Sequence, residues 1–125
     1  MSEDITPSLI ALRLPFPPGL NNLFKNVARG RARTARYDAW IAEASLALRR
    51  QRPTAITGGF KVDFVFDRPD RRRRDLDGLA KAILDLLGKS GVIVDDHLAE
   101  DIRLRWSGMP PQKPGGVLVL LEPAA

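Results

Sequence analysis

Apolar positions along the chain gather in six short sets, separated by polar, glycine-rich or proline-rich stretches. Leu9 to Leu14 is an apolar run stopped by Pro15, Pro17 and Pro18, which predicts a first strand followed by a stiff loop. Tyr37, Trp40, Ile41, Ala44 and Leu48 recur at helical spacing and predict an amphipathic helix over 35–51, ended before Pro53. Phe60, Val62, Phe64 and Phe66 alternate with Lys61, Asp63 and Val65, the pattern of a strand with one buried face. Leu76, Leu79, Ile83 and Leu86 predict a second helix over about 76–89, closed by Gly88 or Gly91. Ile102, Leu104 and Trp106 alternate with Asp101, Arg103 and Arg105 in a third strand. Val117 to Leu121 is apolar on both faces, as in a strand interior to a sheet or an interface. Residues 19–34 show no apolar period and read as a loop. Pro110, Pro111, Pro114 and Gly115-Gly116 read as the turn joining the last two strands in an antiparallel hairpin.

The order strand, helix, strand, helix, strand, strand predicts an α+β fold. It has two layers, with a small mixed four-stranded sheet and both helices packed on one face. The chain of 125 residues is one domain in length, and its 44% hydrophobic residues supply a core. Residues 1–7 and 122–125 are expected to be frayed tails. No apolar run reaches the roughly 20 residues of a membrane span. The acidic start, Met1-Ser2-Glu3-Asp4-Ile5, lacks the layout of a signal peptide, so a soluble cytoplasmic protein is expected.

Composition narrows the chemistry. There is no cysteine, which excludes disulfide scaffolds, thiolate metal sites and cysteine nucleophiles. The single histidine, His97, leaves no paired-histidine zinc motif. The net charge is +5, and of 20 basic residues five are lysine, so 15 are arginine, the better bidentate phosphate ligand. Lys25, Arg29, Arg31, Arg33 and Arg36 lie in a stretch without an acid between residues 21 and 36, which reads as a mobile basic arm for a nucleic-acid backbone or as a solvated loop.

The densest segment is Arg71-Arg72-Arg73-Arg74-Asp75-Leu76-Asp77-Gly78-Leu79-Ala80-Lys81, between a strand and a helix. Its arginines suit phosphates. Its aspartates repel them unless a cation intervenes, and magnesium is held by Asp oxygens together with substrate phosphates. Residues two apart share a side only in extended chain, so Asp75 and Asp77 converge only if the chain is still extended at Asp75. The plainer alternatives are a helix N-cap for Asp75 and a helix-dipole partner for Asp77. Lys81, four residues beyond Asp77, is either its ion-pair partner or a cation that steadies the charge on a phosphate. A second acidic pair, Asp95-Asp96, follows Val92-Ile93-Val94, and only one of the two should face the start of the second helix. His97 beside them reads as a solvated turn residue, with a metal or base role open.

The block Pro69-Asp70-Arg71-Arg72-Arg73-Arg74-Asp75-Leu76-Asp77 resembles that of the RusA family of Holliday-junction resolvases, the crossover junction endodeoxyribonucleases. The likeness continues through Leu79, Lys81, Ala82, Gly91 and Asp95-Asp96. It also covers Leu14-Pro15-Phe16-Pro17-Pro18, Asn21-Asn22 and Arg29-Gly30-Arg31. It implies a homodimeric, Mg2+-dependent nuclease, without an organic cofactor, that nicks four-way DNA junctions symmetrically. It implies Asp75, Asp77 and Asp96 as metal-site carboxylates holding one or two Mg2+ ions, and Lys81 as a further catalytic residue. Arg71, Arg72, Arg73, Arg74 and the basic arm would grip the DNA backbone. Gly78 stands where the family pattern has Asn. The readings open beside it are a non-catalytic nucleic-acid-binding module and a branched- or flap-DNA nuclease of looser structure preference.

Overall fold

The structure, a computed structural model, describes residues 9–124. The expected N-terminal tail, 1–7, lies outside the described residues. Strands β1 (Ile10–Leu14), β4 (Phe60–Asp67), β5 (Ala99–Trp106) and β6 (Gly116–Pro123) form one mixed sheet in the order β1-β6-β4-β5. Helices α1 (Ala35–Gln51) and α2 (Ala80–Lys89) pack on it. The α+β two-layer reading therefore holds. The alternating side chains of β4 (Phe60, Val62, Phe64, Phe66) and β6 (Val117, Val119, Leu121) are buried against Tyr37, Trp40, Ala44 and Leu48 of α1 and Ala82, Ile83, Leu86 and Leu87 of α2. No polar or charged residue is buried among the described residues.

The expected final hairpin does not form. Strand β5 pairs in parallel with β4, whereas β6 runs antiparallel to both β4 and β1 and lies between them. A parallel neighbour needs a long crossover, and α2 supplies it between β4 and β5. The chain leaving β5 then crosses the end of β4 before entering the sheet as β6. Two backbone bonds hold this crossing, Ser107 N–H to Phe66 C=O (2.8 Å) and Gln112 N–H to Arg68 C=O (2.9 Å). Gly115 fits there because its φ is +72° and a Cβ would come within 2.7 Å of Asp67 O. The central place of β6 explains its two apolar faces. Its end is not frayed as expected: Glu122 and Pro123 pair with Lys61 and Phe60, and Ala124 N–H donates to Gly59 C=O at 2.9 Å.

The stretch expected as a loop also has structure. A 3-10 turn at Leu20–Asn22 is followed by a hairpin of β2 (Phe24–Val27) and β3 (Gly30–Arg33), closed by Gly30 at φ +100°. Leu23, fully buried, and Thr34 anchor its base. Thr34 donates its hydroxyl to Asn22 C=O (2.6 Å) and caps α1 by accepting from Tyr37 N–H (3.1 Å). Phe24 meets Tyr37 edge-on.

Candidate active site

The arginine–aspartate block connects β4 to α2, and its shape is set by a residue to which sequence reasoning gave no role of its own. Asp70 accepts two bonds from Arg74 (2.7 and 3.2 Å) and one from Arg72 N–H (3.0 Å), tying residues 70–74 into a closed turn. The Arg74 guanidinium, with the Arg72 amide, holds the Asp70 carboxyl well below the usual carboxylate range. Arg74 is thereby largely committed: its side chain is only 16% exposed and lies over Phe16. Arg71, Arg72 and Arg73 remain exposed. An Asp one residue after Pro and two before a free N–H is the local signal that could have found this turn.

At Asp75 the backbone is extended (φ −78°, ψ 116°), and a 3-10 turn, Leu76–Leu79, begins immediately after it. The Asp75 side chain makes no capping bond; the turn is closed by Gly78 N–H to Asp75 C=O (3.1 Å). Extended backbone at the first aspartate is the condition under which the two acids can converge. Both line one cavity of about 440 Å³, walled by Arg36, Arg72, Arg73 and Arg74 and by Pro17, Gly19, Leu20, Asn21 and Asn22. Among the described residues neither Asp75 nor Asp77 has an ion pair or a side-chain hydrogen bond, so their oxygens are free. Gly78 touches the opposite wall: a Cβ there would meet Leu20 at 3.7 Å, ordinary contact, so this backbone does not require glycine.

Lys81 departs from the expected pairing. Its Nζ lies 3.2 Å from Asp85, not beside Asp77, because the first turn winds as a 3-10 helix and the four-residue alignment is lost between 77 and 81. Asp85, and after it Asp96, raise the Lys81 ammonium above its ordinary value. Asp96 lies near enough to Lys81 to act on its charge but does not line the Asp75–Asp77 cavity. Its neighbour Asp95 turns to His97, accepting from its N–H (2.9 Å) and standing 2.8 Å from Nδ1, which holds Asp95 at about 2. The Asp96 carboxyl also meets Asp95, so the two acids do not diverge as they would in extended chain, because a 3-10 turn begins at Asp96.

The structure does not gather three acidic or histidine side chains into a ready cage among the described residues. The donor set present is two free carboxylates facing a basic cavity. That set fits a magnesium-like ion, which is commonly held by one or two carboxylates with substrate phosphates and water completing its shell.

Of the basic arm, Lys25, Arg29 and Arg31 stand exposed on the hairpin, with Arg31 5.1 Å over the Phe24 ring. Arg33 is held by Asp38 at 2.7 Å, and Arg36 belongs to the cavity. The arm is an ordered β-ribbon, not a loop.

A basic ribbon beside an arginine-lined cavity with two uncommitted carboxylates defines a domain equipped to handle a nucleic-acid backbone at an acidic centre. Comparison with known proteins places it more closely. Residues 15–115 match the family described as Endodeoxyribonuclease RusA, and the chain belongs to that family. It is similar to the crossover junction endodeoxyribonuclease RusA of Escherichia coli, 34% identical over 117 residues that cover 88% of this chain and 90% of the relative. The protein of the same name from Aquifex aeolicus is 33% identical, covering 82% and 81%. One from Enterobacteria phage HK97 is 29% identical, covering 73% and 77%.

Proposed function

We propose that the chain is a Mg2+-dependent endodeoxyribonuclease that resolves four-way DNA junctions by paired nicks. The observation that carries this reading is the free carboxylate pair, Asp75 and Asp77, on the wall of a cavity lined by four arginines. A helix-capping or charge-balancing role would have shown a capping bond or an ion pair. Arg72 and Arg73 draw a backbone phosphate into the cavity, and the locked Arg74 fixes their position. Asp75 and Asp77 would hold the divalent ion, and Asp96 is the third carboxylate proposed for it. When bound, the ion activates water and stabilises charge on the phosphate. Lys81, kept cationic by Asp85 and Asp96, assists at the phosphate. The hairpin grips DNA outside the cleavage point by backbone contact, which reads shape and not base sequence.

Symmetric nicking calls for two matching sites, and a C2 homodimer supplies them. The sheet face away from the helices supports this assembly. Ala11, Val65, Leu118 and Leu120 form its centre, rimmed by Arg13, Lys61, Asp101, Arg103, Arg105 and Glu122. Asp63 on the same face has one shielded oxygen, Oδ1, without a hydrogen-bond partner. The test is cutting of a synthetic four-way junction, a flap and a linear duplex with Mg2+ and with EDTA. Paired nicks in the junction alone, with Mg2+ alone, support the reading. Equal cutting of the flap would point to a looser branched-DNA nuclease. Binding without cutting would leave a non-catalytic module.

A further inference from the structure

On the other side of the arginine run lies a second concave surface that the phosphate chemistry does not use. Trp106 ends β5 with its ring partly exposed. The Arg68 guanidinium sits 3.8 Å over the Trp106 ring centroid, and Phe16 stacks beside it with centroids 6.3 Å apart and planes 11° apart. Phe66 closes the base of this set, edge-on to both rings. A groove of about 530 Å³ opens there, walled by Arg68, Arg71, Trp106, Ser107, Met109 and Pro110. Met109 is 65% exposed, the highest exposure among the large apolar side chains described.

The wall is built into the fold. The crossing segment is bonded to Phe66 and Arg68, Met109 N–H donates to Ser107 Oγ at 3.2 Å, and Gly115 brings the segment within contact of Pro69 backbone. Neither Arg68 nor Arg71 has an acidic partner among the described residues. A planar guanidinium held flat on an aromatic ring, beside a flexible thioether, offers a stacking surface for a flat heteroaromatic ring, and the two cations without acidic partners suit a polyanion. The run itself links the two surfaces, because Arg71 faces this groove while Arg72 and Arg73 face the cavity.

We propose that the Trp106 groove holds an unstacked nucleobase of the strand whose phosphate occupies the Asp75–Asp77 cavity. This rests on the nuclease reading and extends it: the groove takes a base that has left the helical stack, which a junction crossover offers and a linear duplex does not. Every base presents a π face, so the contact selects unpaired DNA over paired DNA before it selects sequence.

The test is photo-crosslinking with 5-iododeoxyuridine placed at successive positions around the crossover of a four-way junction, in EDTA so that binding proceeds without cutting. The expected product links a crossover base to Trp106, identified by peptide mapping, and is missing with linear duplex. Trp106→Leu removes it and weakens junction affinity on the order of 10-fold with an unchanged salt slope, whereas Trp106→Phe retains it. Arg68→Gln, which leaves the aromatic core whole, lowers the yield severalfold and keeps the result readable if Trp106→Leu fails to fold. Crosslinks that map elsewhere, or none in a junction that is bound and is cut once Mg2+ is added, overturn the base site and leave the nuclease reading standing. A protein that neither binds nor cuts the junction overturns both.

Discussion

Replacing Lys25, Arg29 and Arg31 together by Gln tests whether the β2–β3 ribbon holds DNA. The structure selects these three. Arg33 is spent on Asp38 and Arg36 lies in the cavity, so neither is a clean ribbon cation. Each phosphate neutralised contributes about 0.9 to the slope of log affinity against log salt, so losing three contacts flattens the slope by up to about 2.7. Between 50 and 200 mM salt the wild-type protein should therefore lose about 40-fold more affinity than the triple variant. Equilibrium titration of a fluorescent four-way junction, in EDTA at several salt concentrations, measures this. The loss should be similar for junctions of unrelated sequence, because backbone contacts carry no base information. The side chains replaced are exposed, so folding should be unaffected. An unchanged slope in a folded variant would refute the ribbon's role.

Three further outcomes follow from particular contacts. Asp70→Asn should lower the Tm at pH 7, because the depressed Asp70 carboxyl stabilises the fold above its ordinary value near 3.8 and loses that contribution as pH falls through its folded value. Thermal melts from pH 7 to pH 2 should show a flatter acid dependence in the variant than in the wild type, and parallel curves would exclude the Asp70–Arg74 turn as its source. Sedimentation at micromolar concentration should give a dimer, and Leu118→Lys with Leu120→Lys should give a folded monomer; a wild-type monomer that still cuts junctions in symmetric pairs would contradict the two-site account. Gly115→Ala should destabilise the fold by about 1–3 kcal/mol, since it must place a Cβ against the Asp67 and Pro69 backbone at a positive φ. A Tm within a degree of wild type would show that the crossing segment yields freely.

What could be read from the sequence divides along the range of the forces involved. The span of α1 and the alternation of β4 were legible because burial of Tyr37, Trp40, Ala44 and Leu48, and of Phe60, Val62, Phe64 and Phe66, is written locally with period 3.6 or 2. The partner of β5 was not. Its alternation fits either side of a sheet, and the proline-rich link after Trp106 resembles a turn although it spans the end of β4. The β2–β3 ribbon left no period in the sequence because it has no buried face along its length: only Leu23 and Phe24 at its base pack inward, and its cross-strand pairs, Phe24 with Arg33, Lys25 with Ala32, Asn26 with Arg31 and Val27 with Gly30, mix polar and apolar residues without alternation.

At the candidate site, Asp75 and Asp77 were legible as a pair, together with the requirement for extended chain at the first. Two local contacts were not legible: Arg74 is held by Asp70, and Lys81 pairs with Asp85 in place of Asp77. An arginine four residues after Asp70 and a lysine four residues before Asp85 each satisfy a nearby acid first. The groove at Trp106 joins Phe16, Arg68 and Met109 from three separate segments, and no spacing along the chain encodes that meeting.

The central claim is that free carboxylates at Asp75 and Asp77 serve divalent-metal cleavage of branched DNA. The most direct test is Asp77→Asn, which removes charge with almost no change in volume, assayed on a four-way junction in saturating Mg2+ beside a binding titration in EDTA. The account predicts that cleavage is abolished while affinity stays at or above the wild-type value, since one acid that repels phosphate is gone. Cleavage at the wild-type rate would contradict it.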